Sequence, residues 1–129
     1  MSVHIVRLGS PRGRDEGPRL GTVRRPPRGV PKSEFAKRDF YDVWLPLLSP
    51  SAELVTVALA AQDERAWAKF VRAFRKELEG GTGKQLLDLL AVQSHTADFA
   101  VGCYCEDERR CHRSVLRAML EERGAVLAP

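Results

Sequence analysis

The stretch Asp98-Phe99-Ala100-Val101-Gly102-Cys103-Tyr104-Cys105-Glu106-Asp107-Glu108-Arg109-Arg110-Cys111-His112-Arg113-Ser114-Val115-Leu116-Arg117 decides how the chain is read. From Phe99 to Tyr104 it is an unbroken apolar run with β-branched and aromatic members, the pattern of a strand buried on both faces of a sheet. Residues 106–110 are all charged and make a tight turn. Beyond them Val115, Leu116, Met119 and Leu120 recur at helical spacing and predict a helix over about 111–123. A strand that runs into a helix N-terminus is where open α/β sheets place their ligand sites, since free backbone N–H groups and the helix dipole meet there. All three cysteines of the chain and one of its three histidines lie in this stretch.

The totals fit one globular domain: 129 residues, 43% hydrophobic and 29% charged, enough chain for a core without staples. No apolar run approaches the roughly 18 residues that a membrane span needs, and the start Met1-Ser2-Val3-His4 has no signal-peptide profile. An odd, clustered set of cysteines argues against a secreted disulfide framework and for a reducing, cytoplasmic setting. The net charge is +4, unevenly placed: residues 1–32 hold eight Arg and Lys against Asp15 and Glu16, a net of +6 that leaves −2 for the rest. Such a basic segment suits nucleic acid, a phosphorylated metabolite or another anion. A solvated arginine-rich loop is the plain alternative, because no aromatic residue interleaves with these cations before Phe35.

Along the chain, residues 1–32 read as basic and loop-rich around one or two strands, Val3 to Leu8 and Leu20 to Val23. Pro26, Pro27 and Pro31 forbid helix between them. Residues 33–97 read as mainly helical. Ser33 as a cap, with Phe40, Tyr41, Trp44 and Leu45 at three- and four-residue spacing, predicts a helix over about 34–45. Leu54 to Ala61 mixes strand and helix formers and is read as a short helix. Trp67, Phe70, Val71, Phe74 and Leu78 share one face of a helix capped by Asp63 and stopped at Gly80-Gly81. Leu86, Leu87, Leu89 and Leu90 mark the next, and Ala125 to Leu127 a short last strand. Trp44 and Trp67 are expected in the core. Gly81-Thr82-Gly83-Lys84 lacks the spacing and the preceding strand of a phosphate loop.

Four chemistries compete at the cysteines. Cys103, Cys105, Cys111 and His112 supply the donor set of a zinc centre, but adjacent Cys111 and His112 would diverge by about 100° if both were helical, so no metal ligand is assigned. A disulfide is easier between Cys105 and Cys111 than along the strand from Cys103 to Cys105. A nucleophilic thiol at Cys105 or Cys111 would gain from the helix dipole and from Arg109, Arg110 or Arg113, with His112 as acid or base. Cys103 to Arg109 also has the Cys-x5-Arg spacing of thiol phosphatases, although Glu106, Asp107 and Glu108 would repel a phosphate. In the plainest reading Cys103 is a small core residue, the arginines pair with those three carboxylates, and His112 only packs.

Cys103-Tyr104-Cys105 followed by Cys111-His112-Arg113 resembles the C-terminal signature of domain-of-unknown-function family 488, a group of uncharacterised bacterial proteins. Pro27-Arg28-Gly29-Val30, Trp44-Leu45, Leu48-Ser49-Pro50-Ser51, Glu53-Leu54 and the Asp63-Glu64-Arg65, Trp67, Phe70 helix are similar to its other motifs, so the likeness covers nearly the whole chain. Where many members have an aspartate and a tryptophan, this chain has Val23 and Pro26. The resemblance implies a compact α/β domain with the Pro-Arg-Gly loop and the Cys-His-Arg turn as pocket walls, and no established reaction.

The resulting expectation is a single α/β domain with a small, mainly parallel sheet flanked by helices. Its site would have Cys105, Cys111 and His112 as chemical groups and Arg24, Arg28, Arg109 and Arg113 as anion-binding groups. The expected ligand is a nucleotide or other phosphorylated small molecule. A non-enzymatic nucleic-acid-binding module is the rival class, and a structural zinc domain the third. The sequence names no cofactor, sets no oligomeric state and leaves open whether the protein is an enzyme.

Overall fold

The structure, a computed structural model, describes residues 1–129. In chain order it consists of strands β1 (Val3–Arg7), β2 (Arg19–Gly21) and β3 (Val43–Trp44), helices α1 (Ala52–Ala60), α2 (Glu64–Glu79) and α3 (Thr82–Gln93), strand β4 (Phe99–Cys103) and helix α4 (His112–Glu122). All strand pairings are parallel and the order across the sheet is β1-β4-β2-β3. Every residue of β4 is buried, as an apolar central strand of a parallel sheet requires.

Phe99 and Val101 on β4, with Val3 on β1, meet Phe70 and Phe74 of α2, Leu87 of α3, and Leu116 and Met119 of α4 in one core. α2 forms where periodicity places it because Asp63 accepts from the backbone N–H of Ala66 at 2.7 Å and Phe70, Phe74 and Leu78 share its buried face. α1 is also helical as expected, with Ser51 accepting from Leu54 N at 3.3 Å. A second, smaller apolar cluster joins Leu8, Val23 and Tyr41 to Cys103 and Cys111.

The expected helix over 34–45 does not form. A 3-10 turn at Lys32–Glu34 leads into turns, Asp39 takes a left-handed φ of 63°, and Val43–Trp44 pair with β2 as a strand. Polar anchors override the periodicity. Arg12 binds Asp39 at 3.2 Å and Asp42 at 2.7 Å, and Asp42 also accepts from the backbone N–H of Arg19 at 2.8 Å. Trp44 is therefore not core: it is exposed, and its indole N–H donates to the Val23 carbonyl at 2.8 Å. The expected last strand shrinks to one bridge, Leu127 with Val3.

Gly17 ties the loop before β2 to the start of β4. Its φ is 77°, and a Cβ there would collide with the Asp98 carbonyl. Gly17→Ala should therefore cost more than the roughly 1–2 kcal/mol of a left-handed non-glycine residue, because β4 must also retreat. Thermal melts of the two proteins check this. No helix is long and apolar enough to cross a membrane.

Candidate functional site

A cavity of about 440 Å³ opens where β2 and β4 end, at the carboxyl edge of the sheet where the parallel topology predicts a site. Val23, Arg24 and Arg25 leave β2 along one wall, Cys103, Tyr104 and Cys105 leave β4 along another, and Val55, Ala58 and Leu59 of α1 form an apolar third. Arg110, Cys111 and His112 complete the floor, and no carboxylate is among the lining residues. The proline-arginine segment and the cysteine turn thus share one cavity, although some 80 positions separate them in sequence.

Cys111 is extended, with φ −127° and ψ 151°, and caps α4. The adjacency argument against a shared Cys111–His112 site therefore fails, because the two residues do not both lie on the helix. His112 Nδ1 comes 3.9 Å from Cys111 Sγ. The other ring nitrogen, Nε2, lies 2.5 Å from the Thr22 carbonyl oxygen. A carbonyl only accepts, so Nε2 carries the hydrogen. Phe74 packs edge-on to the imidazole with centroids 5.8 Å apart. Cys103 Sγ and Cys105 Sγ are 3.8 Å apart, and all three thiols are free.

Arg113 is drawn behind this floor. It is buried, its Nε donates to Cys111 Sγ at 3.3 Å, and its Nη2 donates to the Cys105 carbonyl at 2.5 Å. Arg113 positions the thiol turn and does not line the cavity. Hydrogen bonds from Cys103 and Cys105 hold the Cys111 thiol below its ordinary range against the opposing effect of burial, with His112 helping. The Cys103 thiol is pushed up by its hydrogen bonds to Cys105 and Cys111, and by burial. Cys105 is also raised, although it is the one exposed thiol.

The other expected anion ligands divide. Arg24 lines the cavity, anchored by donating to the carbonyls of Pro50 at 3.0 Å and Ser49 at 3.1 Å. Arg28 is exposed and lines no part of it. The Arg109 side chain is 90% exposed and pairs with Asp107 at 3.3 Å, so the phosphatase-like spacing from Cys103 brings no arginine to the sulfur. Its neighbour Arg110 faces the cavity, pairs with Glu64 at 2.7 Å and lies over the Trp67 ring at 5.8 Å. Sequence reasoning named Arg110 only as one of three arginines beside a thiol, and it missed Thr22, Arg25 and the α1 wall. Thr22 and Arg25 follow the carboxyl end of β2, so the sheet rule applied to that strand would have flagged them.

Residues 3–124 match the DUF488-N3a family, described as the active DUF488-N3 subclade. The chain belongs to this family. No curated protein and no solved structure matches it. In this DUF488-N3a protein, the cysteine turn forms the cavity floor and Val23 lines its wall.

Proposed function

We propose that the cavity binds an anionic small molecule, a nucleotide or another phosphorylated metabolite, and turns its reacting end toward Cys105, Cys111 and His112. The observation that carries this reading is the lining: Arg24, Arg25 and Arg110 with no carboxylate among the lining residues, opposite the apolar wall of α1, although Arg110 pairs with Glu64 outside it. The volume falls within the roughly 300–1,000 Å³ of small-molecule pockets. Arginines suit phosphate oxygens because they donate several N–H groups in a fixed plane, and an apolar wall suits a base or other flat group. Extended nucleic acid is disfavoured, since Arg7, Arg12 and Arg19 of the basic segment take carboxylate partners within the protein.

The test is calorimetric titration of the full chain with AMP, with inorganic phosphate and with a short oligonucleotide. AMP should bind, and Arg25→Ala, at an exposed residue outside the core, should weaken it by about tenfold or more, the usual loss for a charge-assisted hydrogen bond. Absence of binding by any phosphate compound, or an affinity untouched by Arg25→Ala, overturns the reading. Binding of the oligonucleotide alone, weakening steeply with salt, favours the nucleic-acid module instead.

A further inference from the structure

We infer that Cys103, Cys105, Cys111 and His112 form a tetrahedral site for a soft divalent metal, with zinc the natural occupant. The Cys103, Cys111 and His112 donor atoms all lie within 4.8 Å of one another. Cys105 adds a third sulfur 3.8 Å from that of Cys103. Two thiolates about 2.3 Å from one tetrahedral zinc are themselves about 3.8 Å apart, so this pair already has the spacing of a shared ion.

Two features outside the donor set point the same way. His112 donates Nε2–H to the Thr22 carbonyl, which leaves the Nδ1 lone pair directed toward the sulfur of Cys111. A ring fixed by a carbonyl at one nitrogen is how metal-bound histidines are held. Arg113 is a buried cation whose partners are a sulfur and a carbonyl, with no carboxylate. Three thiolates and one divalent ion carry one net negative charge, which this guanidinium neutralises. An isolated buried cation would be costly, whereas one beside such a centre is matched. The site forms one end of the cavity floor, and it stands whether or not the cavity takes a phosphorylated ligand.

The experiment is titration of the reduced full-length protein with cobalt(II) and then zinc, with no nucleotide present, so failure here and failure of the anion reading are separable. One equivalent of cobalt should give the intense visible absorption of a tetrahedral ion with sulfur-to-cobalt charge transfer, and zinc should displace it. Arg113→Met, which keeps all four ligands, should lower the cobalt affinity by about 10–100-fold, as loss of an outer hydrogen bond does. Cys111→Ser and His112→Gln should abolish the tetrahedral spectrum. In the unaltered protein, zinc should protect the thiols from a disulfide reagent, a readout that no folding defect can mimic. A weak octahedral spectrum, thiols equally reactive with and without zinc, or a Cys111→Ser spectrum like that of the parent overturns the site.

Discussion

Arg19→Met should lower the unfolding free energy by about 3–5 kcal/mol, the usual cost of removing one partner from a buried ion pair. Arg19 is fully buried. Its guanidinium meets Glu16 through two bonds, of 2.5 and 3.2 Å, and donates to the carbonyls of Ser10, Pro11 and Asp39. These contacts hold the loop between β1 and β2 and the turn before β3, whose only apolar support is the small cluster around Leu8 and Tyr41. Burial works to raise the Glu16 pKa, but the bonds from Arg19 and the Gly13 backbone N–H outweigh it and leave the carboxyl lowered. A carboxyl lowered on folding adds stability above its unfolded pKa and loses it as pH falls through the folded value. The parent should therefore weaken on acidification through this group. In Arg19→Met the stranded Glu16 is easier to bury protonated, so acid should narrow the gap between the two proteins. Urea midpoints at neutral and mildly acidic pH measure both effects; an equal gap at the two pH values would count against the ion pair.

Phe74→Ala should cost a similar 3–5 kcal/mol, the range for emptying a buried aromatic position. Phe74 has no exposed surface and stacks on Phe70 with centroids 5.8 Å apart. Its edge-on contact with His112 gives this substitution a second consequence that an ordinary core cavity lacks. With the ring gone the imidazole keeps only its contacts to Thr22 and Cys111, so His112 should react faster with an imidazole-modifying reagent than in the parent. Phe74→Leu, which refills most of the volume, should recover most of the stability and less of the histidine protection. Chemical denaturation and reagent kinetics on the same samples separate the two effects.

Most of the architecture was legible where burial and periodicity agree. The apolar run 99–104 fits a strand buried on both faces, which β4 is, and the α2 face predicted from Trp67 to Leu78 packs inward at Phe70, Phe74 and Leu78. The segment 33–45 misled because its aromatic spacing imitates a helix, while the decisive interactions come from far away: Arg12 holds Asp39 and Asp42, and β2 takes Val43 and Trp44 as a neighbour. A local pattern cannot report a partner some 25 residues distant. The site was legible in part for the same reason. Cys111 and His112 follow directly from the strand–turn–helix reading, as does Arg24 from the basic loop. Whether Arg109 or Arg110 faces inward turns on the phase of one short 3-10 turn, Glu108–Arg110, and Arg113 was drawn inside by sulfur and carbonyl partners that no spacing announces.

The backbone of Val3 is bonded to both Val126 and Ala128, so the two ends of the chain lie side by side at the amino edge of the sheet while the cavity opens at the opposite edge. Any polypeptide joined at either end, whether an affinity handle or a neighbouring domain, would emerge facing away from the mouth and leave it unobstructed. The same closeness makes the fold a candidate for rewiring: a short linker could splice the ends, and new ones could be cut at the exposed Gly80-Gly81 corner without touching the thiol floor.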